Sequence, residues 1–163
     1  MNLFDKKFLK NKRIYTAQCL LATAAVFLVL LMLDIASNAA IIASLGASAF
    51  IAFTMPHAHV SAPRFLIGGY LAGIGSGWIC YRLMALNTLV PGAYETIIFS
   101  ALAVGLSIFV MVITDTEHPP ASGLALGLVL NQCQARSIAV ILVGIILLSL
   151  VKKLLSPVLK DLL

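Results

Sequence analysis

Acidic side chains are scarce in this chain, six among 163 residues against eleven Lys and Arg, so charged residues make up only 10% of it. A soluble domain carries roughly 25% charged and about 45–50% apolar residues. Here 61% are apolar and the mean hydropathy is +1.07. The shortage of charge excludes a water-exposed globule and defines an integral membrane protein, built from apolar stretches of ~20 residues that cross a hydrocarbon core of about 30 Å. Cysteine is also scarce: Cys19, Cys80 and Cys133 are odd in number and show no CxxC spacing, which argues against a disulfide framework or a structural zinc site. No GxSxG or HExxH motif is present, so no hydrolytic centre is expected. The length suits one compact helical bundle with no catalytic appendage, and no enzyme activity or cofactor is expected.

The basic residues sit at the two ends. Lys6, Lys7, Lys10, Lys12 and Arg13 precede the first apolar run, and Lys152, Lys153 and Lys160 follow the last. Positive flanks are retained on the cytoplasmic side, so both termini are expected there and the number of crossings is expected to be even. The chain divides into a basic N-terminal segment (1–13), a membrane domain (14–151) and a basic C-terminal tail (152–163). Phe4, Phe8 and Leu9 interleaved with lysines suit an interfacial helix, although a simple cytoplasmic tail would show the same charges. Between the ends no basic face forms, which excludes nucleic acid as a partner. The apolar run from Ile14 is too long for a signal-peptide core and reads as an uncleaved anchor. The expected location is the cell membrane, as a multi-pass protein.

Hydropathy cuts the domain into six segments, at residues 14–33, 39–55, 65–84, 96–113, 119–130 and 138–151. The first, third and fourth are long enough to cross, the fifth is too short to cross alone, and the second is borderline. An all-α bundle of four to six membrane segments follows, with one or two short or re-entrant half-helices. Long, short, long repeats in the two halves, and interrupted segments at matching places point to a transporter site. A polar turn is expected over 86–95, around Pro91-Gly92.

Within this apolar chain the stretch Thr114-Asp115-Thr116-Glu117-His118-Pro119-Pro120-Ala121-Ser122-Gly123 stands out. Ionisable groups and broken helices beside lipid are costly, so they mark a functional candidate. Proline suits the first turn of a helix, where its missing N–H would be unpaired anyway, so Pro119-Pro120 mark a helix start. The remaining amides on Ala121, Ser122 and Gly123 would then offer an anion site. Capping is the structural reading of Asp115 and Glu117; the functional one has them orient Arg64 or His118, or carry a proton. His118 is either the titrating group or a hydrogen-bonded structural residue.

The second constellation is Gly46-Ala47-Ser48 in an apolar helix, followed by Pro56 and by Ser61-Ala62-Pro63-Arg64. Small residues let helix backbones touch, and that packing reading extends to Gly68, Gly69, Gly73, Gly75 and Gly77. The functional reading has the chain unwind at Gly46, so that its amides and the Ser44 and Ser48 hydroxyls face the start of the helix at Pro119. Arg64 would clamp an anion or pair with Asp115 or Glu117. A cation or metal held by Asp115, Glu117 and His118, with His57 and His59 joining, is the competing chemistry, although the spacing matches no recognised ligand motif.

These residues resemble the HPP family of integral membrane proteins. The resemblance rests on Glu117-His118-Pro119-Pro120-Ala121 with Gly123, on Gly46-Ala47-Ser48-Ala49, and on Pro63-Arg64 followed by Gly68-Gly69. Their order and spacing cover roughly residues 14–151. Tyr70 follows the double glycine where many members have a more polar residue, and Ser61-Ala62 stand where a Gln is common. Some members are associated with nitrite transport. The resemblance therefore implies a small-anion permease, nitrite leading, with a substrate site of Gly46, Ala47, Ser48, Arg64, His118, Ala121, Ser122 and Gly123. Asp115, Glu117, His118, Pro119 and Pro120 would act as motif or proton-relay residues. A non-transporting scaffold or sensor is the alternative. The lipid bilayer is the surrounding partner, and glycine-rich faces are compatible with a homo-oligomer.

Overall fold

The computed structural model describes residues 6–33, 39–87 and 92–163, and all regular structure among them is helical. The elements are α1 (Lys6–Leu33), α2 (Ala39–Thr54), a 3₁₀ turn (His59–Ser61), α3 (Pro63–Ala85), α4 (Ala93–Thr114), α5 (Pro119–Leu130) and α6 (Ala135–Leu155). The turn expected over 86–95 is described only in part, because Pro91 lies outside these residues. So does Phe4. Asn11 leaves helical geometry (φ −129°, ψ 32°) and separates Lys6–Lys10 from the rest of α1.

Hydrogen bonds at the helix ends fix the directions. Gln18 in α1 donates from Nε2 to the carbonyls of Phe53 and Lys160 (both 2.8 Å), and the Lys160 amide donates to its Oε1 (3.0 Å). Tyr15 donates to the Leu162 carbonyl (2.6 Å), and the Leu162 amide donates to the carbonyl of Thr54 (2.8 Å). Arg64 at the start of α3 meets Asp115 just past α4, and the ammonium of Lys152 in α6 donates to the Ser61 carbonyl (3.1 Å). The start of α1, the end of α2, the start of α3, the ends of α4 and α6 and the C-terminal tail therefore share one face. α1, α3 and α5 run away from it and α2, α4 and α6 run back. Lys12, Arg13, Arg64, Lys152, Lys153 and Lys160 lie at or near that face by their positions in the chain.

Gln18 is buried with both amide N–H groups donating and its carbonyl accepting, so it ties tail, α1 and α2 together. Gln18→Leu leaves the Phe53 and Lys160 carbonyls without that donor and the Lys160 amide without that acceptor, at a cost of roughly 2–4 kcal/mol. The tail is expected to come away first. Limited proteolysis should then cut near Leu159 in the variant under conditions that leave the parent intact.

α3 lies at the centre, against α4, α5 and α6. Gly69, Gly73 and Gly77 recur every four residues on one of its faces, and a Cβ on any of them would meet α5 or the segment leading into it. Added at Gly77, it would stand 2.9 Å from the Ala125 carbonyl oxygen. Small side chains thus let two backbones approach, the packing role expected of glycines between membrane helices. On the other side of α5, Gly127 stands against Ala40 of α2. The core continues through Ile41, Leu45, Phe53, Leu66, Leu124, Leu128, Ile141 and Ile145, all buried. Outward-facing positions are large and apolar, among them Phe50, Leu71, Trp78, Ile97, Leu102 and Phe109. A surface of that kind suits lipid, not water.

α4 (from Tyr94) and α6 are long and apolar enough to cross a membrane. α5 has only 12 residues, about 18 Å of helix. Asp115 closes α4 in the left-handed conformation (φ 53°), and the amide of Thr116 reaches back to the Met111 carbonyl (3.0 Å). The chain then runs without helix through 116–118 into the bundle, where Thr116 packs on Gly68 and His118 on Gly69. Three non-helical residues reach at most ~10 Å, so lead-in and helix together reach up to about 28 Å, close to one hydrocarbon thickness. The short segment does not turn back to the face it came from.

Candidate functional site

The extended lead-in carries His118 inward until it has no exposed surface. It is the residue just before α5, and the prolines after it occupy the first helical turn. Ser44 and Ser48 are one turn apart on α2, so both hydroxyls point from the same helix face, and Tyr70 follows the close contact at Gly69 on α3. Three helices thus deliver four polar side chains to one buried place.

Their contacts form a line. The Ser44 hydroxyl lies 2.7 Å from the Pro120 carbonyl and 2.9 Å from the Tyr70 hydroxyl, which lies 2.8 Å from the Ser48 hydroxyl. Ser48 Oγ is in turn 2.8 Å from His118 Nε2. A carbonyl can only accept, so Ser44 donates to Pro120, Tyr70 to Ser44, and Ser48 to Tyr70. Each hydroxyl has then given its one proton, and the fourth must come from His118 Nε2–H. If Ser48 instead donates to the carbonyl of Ser44, 3.0 Å away, Nε2 is still the donor to Ser48. The neutral Nε2–H tautomer completes this line of hydroxyls and leaves a lone pair on Nδ1, whereas the Nδ1–H tautomer, with Ser48 donating to Nε2, leaves one of the two Tyr70 contacts without a proton. Nδ1 is buried and has no hydrogen-bond partner, one of two such side-chain atoms among the described residues, the other being Ser100 Oγ. The Val60 backbone carbonyl lies outside hydrogen-bond geometry with Nδ1 but acts on the ring from that side, as an acceptor that favours a proton there.

Other expected site residues lie elsewhere. α2 is helical through Gly46 without a break, which corrects the expected unwinding: its amides stay in the helical ladder and are not offered to a ligand. Of Gly46-Ala47-Ser48 only Ser48 is buried toward α5; Ala47 is exposed, and Gly46 faces a groove beside α1. On α5, Ala121 is buried and its amide donates to the His118 carbonyl (2.9 Å). Ser122 turns outward and donates to the Pro119 carbonyl (2.7 Å), and Gly123 is exposed. Ser122 and Gly123 fall on the helix face opposite to Ala121 and Leu124, so the Ser122 hydroxyl does not join Ser48.

Arg64 does pair with Asp115 (3.0 Å) and also donates to the Thr114 carbonyl (3.1 Å), but both side chains are 61% exposed at the basic face. Such a pair contributes about 0–1 kcal/mol and stands at an entrance, outside the buried chain. Glu117 is half-buried. His57 is exposed, with its amide on Asp161 (3.1 Å) and Nε2 3.1 Å from the Leu159 carbonyl, while His59 packs on Phe65. Among the described residues no three His, Cys, Asp or Glu side chains are grouped to hold a metal, so the expected competing ligand set is not assembled. All three cysteines are free, and burial pushes the thiol of Cys133, in the turn between α5 and α6, above its ordinary value.

Tyr70 and the Pro120 carbonyl are the members that sequence reasoning did not place in the site. The signal was present for Tyr70, a phenol beside a double glycine in an apolar helix, since a buried hydroxyl needs a partner. For the carbonyl of Pro120 there was none in the side chains.

Fold and site together define a helical membrane protein with a buried polar chain where α2, α3 and α5 meet. Residues 9–161 match the family model described as HPP, transmembrane region, and the chain belongs to the HPP family of membrane proteins. No curated protein and no solved structure matches the chain.

Proposed function

We propose that this protein is a proton-coupled, six-crossing permease for a small inorganic anion, nitrite being the leading substrate, with His118 as the proton-accepting group. The observation that carries the reading is the unpartnered Nδ1 at the end of a hydroxyl chain inside the bundle. A basic nitrogen buried without a donor is a place to put a proton, and membrane interiors keep such groups where ions or protons pass. With Nδ1 protonated the ring is a cation flanked by Ser48 and Tyr70, donors suited to a singly charged anion with two oxygens. The Ser44–Tyr70–Ser48 hydroxyls can each reverse direction, which lets the site exchange an internal partner for a guest without breaking helices. Arg64 and Asp115 sit at the mouth, where Arg64 raises the local anion concentration. Nitrite itself rests on the association of some family members with that ion.

Proteoliposome uptake of labelled nitrite, with and without an inward proton gradient, tests the proposal. Uptake should rise as external pH falls, because the neutral ring must take a proton for each anion. His118→Asn should lower uptake at least tenfold and flatten its pH profile while leaving insertion intact. An unaltered profile in that variant would make His118 a structural lock, and no flux in the parent would favour a scaffold or sensor. Arg64→Gln should lower uptake about two- to fivefold at low salt and progressively less as salt screens the surface charge.

A further inference from the structure

Beside the polar chain, α1 and α2 enclose an apolar groove of about 550 Å³, lined by Ala22, Val26, Gly46, Ala49, Phe50 and Phe53 among others. It also borders three polar side chains, and each already has its partners. Gln18 is used up by Phe53 and Lys160, Thr23 donates to the Cys19 carbonyl (2.9 Å), and Thr54 donates to the carbonyl of Phe50 (2.7 Å). The groove therefore offers no free hydroxyl or amide donor from these side chains and suits hydrocarbon. From Gln18 to Phe27 it follows α1 for about 14 Å, enough for an extended stretch of acyl chain. At its basic-face end Leu162 separates it from a second cavity of about 120 Å³, and lines both. Asn11, Tyr15, Lys160 and Asp161 surround the smaller one. Lys12 and Arg13 are exposed on the same turn of α1, Lys160 is exposed beside them, and the one acid there, Asp161, accepts from the His57 amide. Three cations against one engaged carboxylate make this end attractive to a negative headgroup.

We propose that the α1–α2 groove is a binding site for an anionic glycerophospholipid, one acyl chain lying along Gly46 and the phosphate meeting Lys160 and Arg13. An apolar slot ending in a small polar cavity with excess positive charge matches an amphiphile of that polarity, and juxtamembrane basic residues attract anionic lipid. The slot is open at Gly46, where an added Cβ would meet no atom within 4 Å and a longer side chain would enter the space.

The test is native mass spectrometry of the purified full chain, titrated in detergent with phosphatidylglycerol or with phosphatidylcholine of the same chains. The parent should bind one phosphatidylglycerol in clear preference to phosphatidylcholine. Arg13→Gln with Lys160→Gln should abolish the preference, at about fivefold per charge. Gly46→Leu should fill the slot and weaken both lipids at least tenfold, and Thr23→Leu, entering from α1, should do the same where the first variant fails to fold. Equal affinity for the two lipids in the parent would overturn the proposal, as would unchanged binding in both filled variants. A shift from dimer to monomer on filling the slot, with lipid binding unaffected, would assign the groove to a second copy instead.

Discussion

Gly73→Ala is expected to lower the thermal midpoint of the detergent-solubilised protein by about 10 °C, whereas Gly75→Ala, two residues away on the same helix, should raise it by a few degrees. At Gly73 an added methyl would run into the Ala121 carbonyl, a backbone atom, with the Ala121 Cβ 3.4 Å away. Relief requires moving α5, and α5 is held at its start by the Ser44 bond to the Pro120 carbonyl and by His118 on Gly69. Overpacking of this kind costs about 3 kcal/mol, which for a chain of this size corresponds to roughly 6–12 °C. At Gly75 nothing lies within 4 Å of the new Cβ, so only the gain in helix propensity remains, about 1 kcal/mol. Differential scanning fluorimetry of the two variants reads the contrast. Equal midpoints would mean that α3 and α5 are not packed backbone to backbone. Because the clash displaces the lead-in to α5, Gly73→Ala should also reduce anion uptake, while Gly75→Ala should not.

That pairing shows where the sequence was legible and where it was not. Apolar segment lengths gave six helices close to their observed bounds, because charge and proline interrupt hydrocarbon-compatible runs wherever the chain leaves the bundle. The run of glycines on α3 announced close packing, yet nothing in composition said which of them face a neighbour: Gly69, Gly73 and Gly77 do and Gly75 does not. That choice depends on how α3 is rotated, a tertiary property. The Ser44 and Ser48 hydroxyls were expected to face the start of α5, and their one-turn spacing puts them there. The unwinding at Gly46 was inferred from a glycine's freedom, but α2 keeps its ladder because beside lipid a broken helix needs replacement partners and none are supplied there. Arg64 was expected to clamp a guest or to pair with Asp115 or Glu117, and the pairing with Asp115 is what forms, at the basic face and about 9 Å along the helix from Tyr70. Orientation about a helix axis and depth along it were the two coordinates that residue types alone did not carry.

Ser48→Ala is expected to damage both stability and transport more than Tyr70→Phe, although a phenol is the larger group. Ser48 Oγ is the junction where His118 Nε2, Tyr70 and the Ser44 carbonyl converge, at 2.8, 2.8 and 3.0 Å. Its removal leaves a buried imidazole N–H without an acceptor and the Tyr70 oxygen without its donor, at a cost of roughly 2–4 kcal/mol for two unsatisfied groups. In Tyr70→Phe, by contrast, Ser48 can pass its proton to the Ser44 carbonyl and still accept from His118, while Ser44 still donates to Pro120. That loss is about 1 kcal/mol. Uptake of labelled nitrite should accordingly fall at least tenfold in Ser48→Ala and no more than about threefold in Tyr70→Phe. The ordering follows from proton direction, so ¹⁵N chemical shifts of the His118 ring provide the decisive check. A hydrogen-bearing Nε2 and a bare Nδ1 are expected in the parent at neutral pH, with mixed tautomers in Ser48→Ala. A parent ring carrying its proton on Nδ1 would reverse the chain of donors, place an orphan N–H where a proton acceptor is proposed, and remove the basis for coupling anion entry to His118.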